Sequence, residues 1–125
     1  MAWQGQYDLS ERTAVFGEAV IDFAKQIPIS EITRSMVTQL IRSSTSVGAN
    51  YDEADEAESR KDFRHKIALC RKEARETRRW IRMIIHALPD FDSRAASLKQ
   101  EARELHMIFC AITRSLDHRP MSDDQ

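Results

Sequence analysis

Apolar side chains recur every three or four residues along most of the chain. In its first part they are Leu9, Phe16, Val20, Phe23 and Ile27. This spacing places side chains on one face of an α-helix. Two prolines, Pro28 and Pro89, interrupt the pattern, and Ser59 with Asp62 three residues later has the form of a capping box that opens a helix.

The pattern and its interruptions predict four helices, over about residues 10–27, 30–58, 60–88 and 91–117, with a polar tail over 118–125. Long helices joined by short links are typical of an antiparallel up-down four-helix bundle. The length of 125 residues and the 42% hydrophobic content suit one core. We therefore expect an all-α chain with a single domain over residues 1–125.

The second predicted helix contains a run of small residues, SSTSVGA, over positions 43–49. A glycine inside a helix costs about 1 kcal/mol relative to alanine. Close approach of a neighbouring backbone would explain Gly48 at this position. A helix break or loop over the same residues is the alternative interpretation.

The third predicted helix is rich in basic residues. At about 100° per residue, nine of them fall in one arc beside the apolar seam, and Lys66 lies outside it. The arc contains Arg60, Lys61, Arg64, Arg71, Lys72, Arg75, Arg78, Arg79 and Arg82. It has three possible roles: a face that binds nucleic-acid phosphates, a contact between subunits, or a solvated surface. The candidate phosphate contacts are Arg64, Arg71, Lys72, Arg75, Arg78, Arg79 and Arg82.

Acidic residues at the end of the second helix and basic residues at the start of the third each oppose the helix dipole. Pairing across the turn would offset this cost, and so would pairing between subunits in a head-to-tail ring. On the other flank of the third helix lie apolar residues far from the core seam, which need a partner. The candidate subunit interface therefore comprises Leu69, Trp80, Met83, Asp52, Asp55 and Glu56.

The sequence offers little for catalysis, so we predict that the protein is not an enzyme and needs no cofactor or metal. Carboxylate-bridged metal bundles use Glu-x-x-His pairs, and the sequence contains none. Cys70 and Cys110 lie in predicted apolar seams, which favours buried reduced thiols over a disulfide. With no signal peptide and no apolar stretch of about 20 residues, we expect a cytoplasmic protein that does not enter the membrane.

The centre of the chain contains a distinctive set of short motifs. They are IRSS at 41–44, SVGANY at 46–51, EA at 53–54, AES at 57–59, DF at 62–63, HK at 65–66 and KEARET at 72–77, followed by Trp80. In these residues the chain closely resembles the bacterial four-helix bundle proteins related to the ribosomal RNA intervening-sequence protein. The segment DLSERTAVFGEAVIDFAKQIP at 8–28 also looks like that family's first helix. The similarity covers nearly the whole chain.

This resemblance implies a four-helix protomer that assembles into a five-fold ring, a homopentamer, with no established catalytic activity. A related branch includes accessory proteins of diversity-generating retroelements, which bind nucleic acid and a reverse transcriptase. Among the matching residues, Asn50 lies on a core seam and needs polar partners if buried. We predict a buried polar network of Arg42, Asn50, Glu53 and Glu73 that fixes the helix register.

Two functional hypotheses follow. In the first, a ring of four-helix bundles binds RNA or DNA phosphates through the basic arc. In the second, the protein is an interaction scaffold whose basic arc serves subunit pairing, without binding nucleic acid. Net charge is −1, so any nucleic-acid affinity must come from a local patch.

Overall fold

A computed structural model describes residues 8–118 and contains four α-helices. They are α1 (Leu9–Ala24), α2 (Glu31–Asp55), α3 (Arg60–Ala87) and α4 (Asp92–Asp117), with a 3₁₀ turn over Pro89–Phe91 before α4. The predicted all-α fold is confirmed. The predicted tail over 118–125 lies outside the described residues except for His118.

Side-chain caps explain where the first three helices begin. The carboxylate of Asp8 accepts a hydrogen bond from the Glu11 amide, and Ser59 Oγ accepts one from the Asp62 amide. Ser30 and Thr33 form a reciprocal capping box at the start of α2. These bonds satisfy amides that have no partner within the helix.

The first two helices end about three residues before their predicted boundaries, and in both cases 3₁₀-type bonds complete the last turn. After α1 the Ile27 amide donates to the Ala24 carbonyl, which keeps Ile27 buried just before Pro28. After α2 the Ala57 amide donates to the Ala54 carbonyl. Proline disfavours helical geometry in the residue before it, and the acidic end of α2 opposes its own dipole.

The helices form an up-down bundle in which each contacts its sequence neighbours and α1 closes against α4. The diagonal pairs, α1 with α3 and α2 with α4, do not bring Cα atoms within 8 Å over residues 8–118. Large side chains from three helices are fully buried at the centre, namely Leu40, Ile67, Ile81, Ile84, Leu105 and Phe109. Burying each such side chain contributes about 1.5–3 kcal/mol, so the core holds the helix faces in fixed register.

The small residues of α2 lie in an unbroken helix and permit close packing on both sides. A Cβ added at Gly48 would lie 3.0 Å from Thr13 Oγ1 of α1. On the α3 side, Thr77 Oγ1 donates to Ser43 Oγ across 2.9 Å in the buried core. Close approach is therefore confirmed, and the alternative of a break over residues 43–49 is wrong.

Candidate functional site

The basic arc of α3 divides into two parts with different surroundings. The first part lies against the C-terminal end of α4. Arg60 Nη2 donates to the Leu116 carbonyl across 3.0 Å, and Arg64 forms an ion pair with Asp117. Cations favour a helix C-terminus, where carbonyls lack partners within the helix. Arg64, which is one of the predicted phosphate contacts, therefore binds the C-terminal end of α4.

The second part of the arc is exposed to solvent. Its residues from Arg71 onward are Arg71, Lys72, Arg75, Arg78, Arg79 and Arg82, and all six are exposed. Within residues 8–118 none of them makes an ion pair shorter than 4.0 Å. The eleven helical steps from Arg71 to Arg82 span about 16 Å of helix. This surface is therefore a concentrated positive charge that the described part of the protein does not neutralise.

A groove runs between this surface and α4, with a volume of about 770 Å³. We call it the basic groove. Its lining residues are Lys72, Arg75, Glu76, Arg78, Arg79, Arg82, Ile85, Lys99 and His106. The acid among them, Glu76, accepts from Arg42 Nη2 across 2.7 Å and so is already engaged. Lys99 lies 3.8 Å from Asp92, a loose pair between exposed side chains.

Lys99 and His106 are site residues that sequence reasoning missed. Both lie on α4, whereas the predicted site was confined to α3. A signal was present: Lys99, Arg103 and His106 are spaced four and three residues apart, beside the apolar seam of α4. Assigning them to the groove required knowledge of which side of α4 faces α3.

A hydrogen bond joins the two walls of the basic groove. Arg78 Nη1 lies 2.8 Å from His106 Nδ1. Because a guanidinium can only donate, Nδ1 accepts and the ring is neutral, with its proton on Nε2. Burial lowers the pKa of His106, and the nearby charges of Arg78, Arg75 and Arg71 lower it further. The groove thus holds a neutral imidazole among cations.

The predicted polar network of Arg42, Asn50, Glu53 and Glu73 is not formed as one buried cluster. Arg42 does contact Glu73, at 3.4 Å, but its side chain is 46% exposed. Glu53 instead pairs with Lys66 at 2.7 Å and is 58% exposed. Asn50 Nδ2 donates to the Ser46 carbonyl of its own helix. The prediction is corrected to two separate ion pairs between α2 and α3, Arg42 with Glu73 and Lys66 with Glu53, while Asn50 bonds only within α2.

The residues predicted for a subunit interface lie in three places. Asp52 accepts a hydrogen bond from Ser10 Oγ of α1 across 2.7 Å, and Asp55 and Glu56 are exposed at the same end of the bundle. Trp80 and Met83 line a second groove, of about 470 Å³, between α3 and the start of α2. Leu69 is partly buried elsewhere on α3 and does not line this groove. We call the groove at Trp80 and Met83 the apolar groove.

The described residues show no arrangement suited to metal or thiol chemistry. Over residues 8–118 no three His, Cys, Asp or Glu side chains converge as metal ligands. Cys70 and Cys110 are free thiols, and burial raises the pKa of Cys70 to about 12. No helix in this part of the chain has the length and apolarity needed to cross a membrane.

Comparisons with known proteins agree with the fold. Residues 6–111 match the family described as 23S rRNA-intervening sequence protein. A crystal structure of a protein of unknown function from the S23 ribosomal protein family of Bacteroides thetaiotaomicron superimposes with a TM-score of 0.75 and 28% sequence identity. The match covers 83% of this chain and 96% of that one. Comparison with curated proteins finds no match. Neither description names an enzymatic activity.

Proposed function

The chain belongs to the 23S rRNA-intervening sequence protein family, and from that premise we propose that it binds the phosphates of RNA or DNA in the basic groove. The observation that carries the proposal is the row of exposed cations from Arg71 to Arg82 without ion-pair partners among the described residues. Like charges held close together destabilise a protein unless something neutralises them. A nucleic-acid backbone provides matching negative charge at regular spacing.

The lining of the groove favours a duplex over a single strand. Single-strand binders stack bases on aromatic side chains, mostly Phe, Tyr and Trp, and none of these three residue types lines the groove within residues 8–118. Ile85 is its apolar member. Contacts made only to phosphates fix position without reading sequence, so we expect binding that depends weakly on base sequence.

The test compares two variants that each lose two charges. In the first, Arg75 and Arg82 in the basic groove are changed to alanine. In the control, Lys25 and Arg34 are changed, which are exposed on other faces of the bundle. Binding of a fluorescent RNA duplex and a DNA duplex is measured by anisotropy between about 50 and 200 mM salt.

We expect steep salt dependence for the wild-type protein and for the control. The Arg75/Arg82 variant should bind more weakly, with the slope of log K against log salt reduced by about 2, one for each lost phosphate contact. Equal slopes for the two variants would contradict the proposed site. Absence of binding by the wild-type protein at the lowest salt would contradict nucleic-acid binding altogether.

The apolar groove favours a second candidate function, self-assembly into a ring that acts as an interaction scaffold. Beside Trp80 and Met83 this groove is lined by Met36 and by Ile32, which is 67% exposed. Exposed apolar patches of this kind mark protein contacts. We propose that a second copy of the chain covers this patch, as the five-fold ring requires a contact between neighbouring subunits.

Light scattering tests this assembly. Changing Ile32 to Glu places a charge in the contact without disturbing the core, and should reduce an oligomer to protomers of 14.5 kDa. Val15→Glu, at an equally apolar but separate exposed position on α1, is the control and should leave the mass unchanged. A wild-type mass of 14.5 kDa in solution would contradict assembly into a ring.

A further inference from the structure

His106 occupies an unusual position in the basic groove, because among the described lining residues it alone is of a type that changes its charge near neutral pH. From α3 it is faced by Arg71, Arg75 and Arg78. Lys99 of its own helix lines the same groove. The acids Glu101 and Glu104 of α4 are bonded to Arg12 of α1. Helix α2 brings no Cα atom within 8 Å of α4 in the described residues, and it touches α4 through the rings of Tyr51 and Phe109.

The geometry of the groove explains why this ring is neutral. Nδ1 is occupied as the acceptor of the Arg78 hydrogen bond at 2.8 Å. A proton on Nδ1 would break that bond and would place two cations against each other. A phosphate oxygen between Arg78 and His106 reverses the balance, since it accepts from both and favours the imidazolium.

We propose that His106 is a phosphate-binding residue of the basic groove, and that it takes up a proton from solvent when a phosphodiester enters between α3 and α4. In the bound state Nε2–H and the newly protonated Nδ1 are both donors, and Arg78 turns its guanidinium to the phosphate. This inference rests on the proposed function and adds to it a dependence of affinity on pH.

The first experiment measures duplex RNA affinity at about pH 8 and about pH 6 at constant salt. We expect the wild-type affinity to rise about fivefold to tenfold as the pH falls, which corresponds to one gained charge-assisted contact. In His106→Asn the Oδ1 atom can still accept from Arg78, but the side chain does not titrate, so its affinity should change less than about twofold over the same range.

His65→Asn is the matched control. His65 is exposed on α3 and lines neither the basic groove nor the apolar groove, so this variant should retain the full wild-type response to pH. A wild-type affinity that does not depend on pH would overturn the role of His106 and leave the proposed function standing. Loss of the pH response in His65→Asn, with the response kept in His106→Asn, would also overturn it.

The second experiment does not depend on nucleic acid. An NMR titration follows the His106 ring with and without inorganic pyrophosphate, and we expect pyrophosphate to raise the pKa of His106. A raised pKa without duplex binding would overturn the proposed function and retain the phosphate site. An unchanged pKa together with absent duplex binding would overturn both.

Discussion

The two sides of α4 differ in how their charged side chains are paired. Towards α1, Arg12 Nε lies 2.7 Å from Glu101 and Arg12 Nη2 lies 2.9 Å from Glu104, so one cation meets two acids. Towards α3, Lys99 and His106 meet a row of arginines. The contact between α4 and α1 pairs opposite charges, whereas the groove between α4 and α3 brings positive charges together.

The difference separates a contact that stabilises the fold from a surface of like charges for which we propose a ligand. The hydrogen bond from Arg12 to Glu101 raises the pKa of Arg12 well above its usual range, and the Arg12 side chain is only 22% exposed. Charge-assisted, two-pronged pairs of this type are stronger than neutral hydrogen bonds. The exposed like charges on the α3 side do not stabilise the fold in this way. We therefore explain them by the proposed function.

The largest expected effect comes from placing like charges between α4 and α1, as they occur between α4 and α3. Glu101→Arg places a cation opposite Arg12, losing the pair and adding repulsion. We expect the free energy of unfolding to fall by about 2–3 kcal/mol in urea denaturation. Ala96→Arg, an exposed change on the same helix, should shift it by less than about 0.5 kcal/mol. Equal losses in the free energy of unfolding for the two variants would show that the contact between α4 and α1 does not stabilise the fold.

A smaller loss should follow from removing the α1 cation alone. Arg12→Met keeps much of the side-chain volume but leaves Glu101 and Glu104 without their shared partner. We expect a loss of about 1–2 kcal/mol, because Glu101 is only 30% exposed and loses a charge-assisted bond. Lys25→Met, at the exposed residue just after the same helix, is the control, and equal midpoints in urea for the two variants would refute this role.

The sequence predicted the fold well because its strongest signal is local. Spacing of three and four residues identifies a helix face, and Ser30 and Ser59 mark helix starts by bonds that span only a few residues. The candidate site was predicted in part for the same reason: Arg75 and Arg82 share one face of a single helix.

Contacts that depend on how two helices pack could not be predicted from the sequence. The binding of Arg64 to the end of α4 and the placement of His106 opposite Arg78 both depend on how α3 and α4 are aligned. Asn50 lies between the buried Val47 and Ala54 on the predicted seam, yet it is only partly buried and its amide bonds the Ser46 carbonyl of its own helix. A helical pattern alone does not give the rotation and offset between neighbours.

On the α3 side, removing charge should cost little stability. Arg75 and Arg82 are exposed and form no ion pair within residues 8–118, so changing both to methionine should alter the free energy of unfolding by less than about 0.5 kcal/mol, or raise it slightly by relieving repulsion. The same variant should lose duplex affinity. A stability loss as large as that of Arg12→Met would show that these arginines stabilise the fold.

The smallest effect is the contribution of His106 to the pH dependence of stability. Its folded pKa lies below that of the unfolded chain because of burial and the three facing arginines. As the pH falls below the unfolded value, near 6.5, the unfolded chain takes up a proton that the native state does not, so the free energy of unfolding decreases until the folded pKa is reached. Above the unfolded value the contribution vanishes. In His106→Asn this part of the decrease should be absent, so urea midpoints of the two proteins should differ by different amounts at about pH 8 and about pH 5.5. A constant difference would mean that His106 is equally easy to protonate in both states, and that the arginines of α3 are too well screened by water to act on α4.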